Sequence, residues 1–223
     1  MITLTHKNTM GNKTSRIISL LIISITFLIG WYFYPQLPNP MASHWNAQGN
    51  VDGYLSKNIA LFFIPVFSLF LWLLFLILPI IDPYKKNLAQ FRPNFNIFIV
   101  LFFTFFAYLY FLTIFWNLGF RFNLIRYLSP AFAVLFFDTG ILISRSKRNW
   151  FIGIRTPWTL SSDKIWAKTH HLGGKLFKAC ALLTFLGVFF PKLAIYLLLI
   201  PVLATTVIVI AYSYLEYQKT GNK

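Results

Sequence analysis

The chain has 223 residues, of which 57% are hydrophobic and only 11% charged. A soluble domain needs far more polar surface around its core, so this composition excludes a water-soluble globule. The charge is strongly basic, 20 Lys and Arg against 5 Asp and Glu, and in a membrane protein such a balance reports on topology before it reports on a polyanionic partner.

Apolar windows bounded by charge, Pro and Asn fall at Ile17 to Tyr34, Ile59 to Ile81, Phe95 to Leu118, Leu124 to Ile143, Lys175 to Phe190 and Leu193 to Tyr214. Most are near the ~20 residues a helix needs to cross ~30 Å of hydrocarbon. None alternates as a barrel strand would. The expectation is an all-α integral membrane protein, a bundle of about six transmembrane helices, multi-pass in the cell membrane with the lipid bilayer as its solvent. The first window follows Lys13 and Arg16 but is long and has no convincing small-residue cleavage site, so it is expected to be an uncleaved anchor. The organisation expected is a tail over residues 1–16, an N-terminal membrane domain of three spans over 17–118, and a C-terminal one of three spans over 119–223.

Placing both termini in the cytosol puts 16 Lys and Arg inside, including Lys7 and Lys223, and 4 outside, Lys57, Arg121, Arg126 and Lys192. This asymmetry accounts for the basic balance without nucleic acid, and no direct nucleic-acid binding is expected.

Between the spans, Gly119–Asn123 and Pro191-Lys192 are short enough to force antiparallel helix pairs. The fourth span carries Pro130 and Asp138. Its eleven Leu, Ile, Val and Phe residues favour insertion by roughly 3 to 7 kcal/mol, against about 2.5 to 3.5 for a central Asp, so it inserts with Asp138 turned toward protein. An internal ion pair or hydrogen bond with a basic residue such as Arg145 or Lys175 is one role for that acid; a proton or cation contact is the other. The fifth span is short, with Lys175 and Lys178 expected to snorkel. Cys180, the single cysteine, lies within it, so no intrachain disulfide or Cys-based metal site is available and a packing role follows.

Two polar segments remain. The outer one, residues 35–58, has Pro35, Pro38 and Pro40 to hold an extended approach, and Gln48-Gly49 and Asp52-Gly53 as turn chemistry. His44, Asn46 and Asp52 are a candidate hydrogen-bonding patch; they are too few for a good metal site. The inner one, residues 144–174, mixes Trp150, Trp158 and Trp166 with Arg155, Lys164, Lys168, His170 and His171, a set suited to the headgroup zone, so this loop is expected to lie on the membrane. Ser161-Ser162-Asp163 reads as a capped start of an interfacial helix that Gly173-Gly174 ends or bends. His170 and His171 diverge by about 100° on a helix and do not share an ion easily; His170 is expected to bond Asp163 or a facing loop. No phosphate-cradling glycine pattern, G-x-S-x-G elbow or H-E-x-x-H pair occurs. Neither a cofactor nor a metal is expected.

The motifs in these two segments resemble the SdpI family, membrane proteins of immunity to a sporulation-delaying toxin peptide. On the outer side the resemblance rests on Tyr34-Pro35-x-Leu37-Pro38, then His44-Trp45-Asn46-x-x-Gly49-x-x-Asp52-Gly53-Tyr54-x-Ser56-Lys57. On the inner side it rests on Asn149-Trp150-Phe151-x-Gly153-Ile154-Arg155-Thr156-Pro157-Trp158-Thr159-Leu160-Ser161 and Trp166-x-x-Thr169-His170-x-Leu172-Gly173-Gly174. It implies protection from a membrane-active peptide outside and, as in the founding system, capture of a small transcriptional repressor inside.

On that reading His44, Trp45, Asn46, Gly49, Asp52, Gly53 and Lys57 form the toxin-facing motif. Trp150, Gly153, Arg155, Thr156, Pro157, Trp158, Ser161, Asp163, Trp166, Thr169, His170, Gly173 and Gly174 form the signalling motif, and the protein is not an enzyme. Two rivals stand beside it. One is a small transporter or channel component using Asp138, with Pro130 and Pro201 breaking spans. The other is a membrane enzyme with His170 and Asp163 as acid and base.

Overall fold

A computed structural model describes residues 10–221; Lys7 and Lys223 of the inside count lie outside them. Six helices among the described residues are long and apolar enough to cross a membrane. In chain order the elements are α1 (Asn12–Phe33), the strands β1 (Met41–Trp45) and β2 (Val51–Leu55), α2 (Lys57–Ile81), a short α3 (Lys85–Gln90), α4 (Arg92–Asn117), α5 (Leu124–Arg145), a one-turn α6 (Pro157–Ser161), α7 (Asp163–Phe185) and α8 (Ala194–Gly221). The expected all-α membrane bundle is therefore present, with one small antiparallel hairpin added.

The helices sort by contact. α1 packs chiefly on α4, α5 chiefly on α7, and α7 on α8, while α4 against α5 joins the two groups. Phenylalanines fill the first group, where Phe91, Phe95 and Phe103 are each 1% exposed and Phe75 meets Phe95, Phe102 and Phe103 edge to face, the arrangement that ring quadrupoles favour. The outward faces stay apolar: Leu28 on α1, Phe63 and Phe70 on α2, Leu203 and Val207 on α8 are all more than half exposed. Side chains of this kind on one helix face after another belong against acyl chains, not water.

The ends are tied by polar side chains. Asn96 donates to the Met10 carbonyl and the Asn12 side chain, and Arg92 donates to Asn12, fastening the start of α1 to the start of α4. Lys168 of α7 pairs with Glu216 of α8, which also takes Lys219.

The fifth span departs from its expected form. Gly173-Gly174 neither ends nor bends a separate interfacial helix: α7 runs unbroken from Asp163, and the spanning segment covers Asp163–Val188. It is not short, and the connection from α5 is correspondingly brief. The physical reason lies across the interface, where the two backbones touch. A Cβ on Gly174 would stand 2.7 Å from the Gly140 carbonyl oxygen, and one on Gly140 would stand 2.7 Å from that of Gly174. Glycine costs a helix interior about 1 kcal/mol, and here that loss is offset by an approach no other residue permits.

Candidate functional site

At one end of the bundle stands the β1–β2 hairpin. Val51–Leu55 pairs with Met41–Trp45 in an irregular register around His44, and the turn is built by Asn46, whose side-chain oxygen accepts from the Gln48 and Asn50 amides. Gln48-Gly49 therefore lies in the turn as expected, whereas Asp52-Gly53 does not: it lies inside β2, with Gly53 opposite His44. Gly53 allows that pairing because a Cβ there would meet the Cβ of His44 at 2.8 Å. Pro35 likewise sits in a short 3₁₀ turn, Tyr34–Gln36, not in an extended approach. The ring Nδ1 of His44 contacts the Asp52 carboxylate, both exposed. Asn46 stays apart from that pair, since its carbonyl oxygen is spent on the turn.

The hairpin is anchored by residues that sequence reasoning did not single out. Asn117, at the end of α4, accepts from the Ala42 amide at 2.8 Å and donates back to the Ala42 carbonyl at 3.0 Å. Asn123 caps α5 by accepting from the Arg126 amide and donates to the Gln48 carbonyl in the turn. Gly49 packs directly over that Asn123 side chain. Asn at a helix N-terminus is a readable cap signal; that its second function reaches 75 residues back is not. Trp45 packs edge-on to Trp116, whose other neighbour is the Arg121 guanidinium, 3.6 Å from the ring centroid. Lys57 is also structural in part, donating to the Tyr34 and Leu37 carbonyls. Behind the hairpin a cleft of about 510 Å³ opens between α2, α5 and α8, lined by His44, Trp45 and apolar groups such as Phe63, Leu128 and Leu198. The buried Trp45 Nε1 has no partner among the described residues.

At the opposite end, the segment between α5 and α7 is wound into a knot. Asn149 is fully buried and uses all four of its side-chain hydrogen-bonding functions: it donates to the Lys147 and Ile152 carbonyls and accepts from the Phe151 and Ile152 amides. Gly153 follows at φ +116°, where a Cβ would lie 2.4 Å from His170 Nε2. That absence lets the Ile154 amide donate to the same nitrogen at 2.9 Å. Thr156 and Thr159 form a capping box around Pro157, and Thr156 also donates to Ser213 on α8. Ser162 caps α7 with Asp163 in its first turn, as expected. Asp82, 1% exposed at the end of α2, accepts from the Trp150 and Tyr84 amides and so ties the knot to the other helix group. Nothing in its sequence surroundings marks it.

Two expectations about this segment are corrected and a third is narrowed. The tryptophans do not form one headgroup belt. Trp166 is 2% exposed, donates to the Ser146 carbonyl and stacks on His170 at 3.9 Å between centroids, because a ring on the inward face of α7 has core to fill. Trp158 leans on Tyr214 and only Trp150 is largely exposed. Of the two partners expected for His170, the facing loop is the one it bonds, while Asp163 pairs with Arg148 at 2.9 Å. The acid–base pair invoked for an enzyme is thus not assembled. Thr169, Gly173 and Gly174 are buried, with Gly173 against Ile154 and Ile143, while Arg155 reaches the Trp150 carbonyl and Ser161 the Trp158 carbonyl. Asp138 is 9% exposed; no ion pair with Arg145 or Lys175 forms, and its Oδ2 has no partner among the described residues.

Six spanning helices, a hairpin at one end and a knotted loop at the other define a multi-pass membrane protein; within it, residues 145–213 match the SdpI/YfhL protein family, and residues 21–69 match a domain of unknown function, DUF1648. The knot lies in the first stretch and the hairpin in the second; Asp138 is in neither. Over 208 residues the chain is 28% identical to Immunity protein SdpI of Bacillus subtilis (strain 168), covering 92% of this chain and 97% of that protein. No solved structure matches.

Proposed function

We propose that this protein protects the cell that carries it against a membrane-active peptide toxin, with the hairpin outside and the knotted loop in the cytosol. The reading is carried by its likeness, over almost its whole length, to a protein named for immunity. The side assignment follows the crowding of Lys and Arg at the end bearing the knot. On this reading His44, Asp52 and the exposed edge of β2 meet the peptide, and the apolar cleft behind Trp45 receives its hydrophobic face. Asn123 supplies a physical link inward, since it holds the hairpin turn and caps α5 at once, and α5 lies against α7, which carries His170 and the knot. A small repressor held at Arg155 and Trp158 is the matching role for the cytosolic end.

The test is survival of toxin-challenged cells expressing His44→Ala/Asp52→Ala or Arg155→Ala/Trp158→Ala. The first pair is expected to lower survival toward that of cells lacking the protein, with membrane insertion unchanged. The second is expected to leave peptide binding intact and abolish any transcriptional response. Undiminished survival of the first pair defeats the reading.

A second reading, a transporter or channel component, is favoured by one observation: a buried carboxylate oxygen on Asp138 without a partner among the described residues. An acid inside a span is costly to keep, and acids kept there often mark the path of a proton or cation. Proteoliposomes should then show a flux that Asp138→Asn removes; vesicles as tight as protein-free controls discard it.

A further inference from the structure

The end of the bundle that carries the knot also contains a polar pocket whose exposed cations, Arg145 and Lys147, neither the immunity reading nor the transport reading uses. It has a volume of about 350 Å³ and is walled by three separate elements: Asn87 and Gln90 of α3, the segment from Ser144 to Arg148, and the first turns of α7. Arg145, Lys147 and Arg148 face a single carboxylate in it, Asp163, and that carboxylate is already engaged by Arg148. With both histidines neutral the pocket keeps a net charge of +2. Arg145, Lys147 and His171 are exposed and meet no acid among the described residues. The back wall is fixed and offers nothing more: Trp166 is bonded to the Ser146 carbonyl and His170 to the Ile154 amide. The pocket lies where α5 ends at Arg145 and beside α3, which follows the end of α2 within a few residues of chain, and so at the depth at which a spanning helix leaves hydrocarbon.

The geometry points to a binding site for an anionic phosphate ester, gripped by the Arg145 guanidinium and the Lys147 ammonium, with Gln90 and His171 beside them and Asn87, which donates to the Arg148 carbonyl, holding the wall. Guanidinium and ammonium groups that lack protein carboxylates are suited to phosphate oxygens, and basic pockets between spanning helices at the membrane boundary take lipid headgroups. A phospholipid headgroup and a soluble phosphate ester offer the same chemistry. This inference does not depend on the toxin reading.

The experiment is equilibrium binding to the full chain in a neutral detergent, with phosphatidylglycerol, phosphatidylcholine and glycerol phosphate as probes. Phosphatidylglycerol is expected to bind saturably and phosphatidylcholine, whose choline offsets the phosphate charge, not to bind. The double variant Arg145→Gln/Lys147→Gln should weaken binding about twenty-five-fold, from roughly fivefold per cation lost near a membrane surface. Lys85→Gln/Lys86→Gln removes the same charge from exposed positions outside the pocket and should change it by less than about twofold. Saturable binding of glycerol phosphate with the same pattern across variants also supports the site and makes its ligand soluble. Equal losses in the two double variants, no loss in the first, absence of saturable binding, or uptake of a polyglutamate peptide in place of both phosphate probes overturns the proposal. The side chains of Arg145 and Lys147 make no bond among the described residues, so unchanged thermal unfolding without lipid will show that the variant is folded.

Discussion

Asn149→Ala is expected to unfold the knot at the α5–α7 end and to lower the stability of the whole protein by about 2 to 4 kcal/mol. The side chain is fully buried, and its four hydrogen bonds close a loop that has no regular structure to satisfy it otherwise. Truncation leaves the Phe151 and Ile152 amides and the Lys147 and Ile152 carbonyls without their partner. An unsatisfied buried polar group costs about 1 to 3 kcal/mol, reduced where water can enter. The loss should spread, because the knot presents the Trp150 amide to Asp82 and the Ile154 amide to His170. Asn149→Asp is the sharper variant. It keeps an acceptor for the two amides but turns a second oxygen toward two carbonyls, so it should destabilise at least as much as Ala despite its matching shape. Denaturant unfolding of the purified protein in mixed micelles measures both; a loss below about 0.5 kcal/mol for either is what an ordinary surface substitution gives and would remove the knot from the account.

Gly174→Val should disrupt the α5–α7 crossing, at a cost on the order of 3 kcal/mol. Its Cβ would stand 2.7 Å from the Gly140 carbonyl oxygen and 2.7 Å from Ser144 Cβ. The first of these is backbone and cannot rotate away, so the helices must separate along the most extensive interface in the molecule. Ser144→Gly should rescue only in part, since it removes one obstruction and leaves the other. Gly11→Ala is the control: a Cβ there has only Thr14 Oγ1 near it, at 3.8 Å, and stability should fall by no more than about 1 kcal/mol, the cost of Ala at an N-cap. Lowered thermal stability and a smaller folded fraction after extraction are the readouts, and native-like stability of Gly174→Val would mean that the crossing is looser than described.

The parts of this protein visible in its sequence are those that depend on composition and short spacing. Six spans are legible because a helix crossing lipid must be apolar for its whole length, and Gly119–Asn123 and Pro191-Lys192 are too short for anything but tight connections. The α7 cap at Ser162 and the Asn46–Gly49 turn are legible for the same reason: each is completed within a few residues. The boundary of the fifth span was not. Gly173-Gly174 carries the sign of a helix stop, and only the presence of Gly140 on a neighbouring helix turns it into a packing contact.

The same division runs through the two polar ends. That residues 35–58 and the stretch from residue 144 to the start of α7 stand out as ordered, non-spanning segments follows from their own Pro, Gly, Trp and charged residues. Which side chains hold them does not. Asn117 reaches Ala42, Asn123 reaches Gln48 and Asp82 reaches the Trp150 amide, each across more than 60 residues of chain, and the partner in every case is a backbone group that has no letter of its own. Trp166 and Trp150 carry the same sequence signal, and only the structure separates them: the inward face of α7 buries the first, and the loop before α7 leaves the second exposed. Hydropathy and local turn chemistry thus determined the bundle and its two ends. Long-range hydrogen bonds to backbone and the close passage of α5 over α7 were decided only by the tertiary structure, because they depend on which helix lies beside which, and almost every residue in these spans is equally content to face lipid.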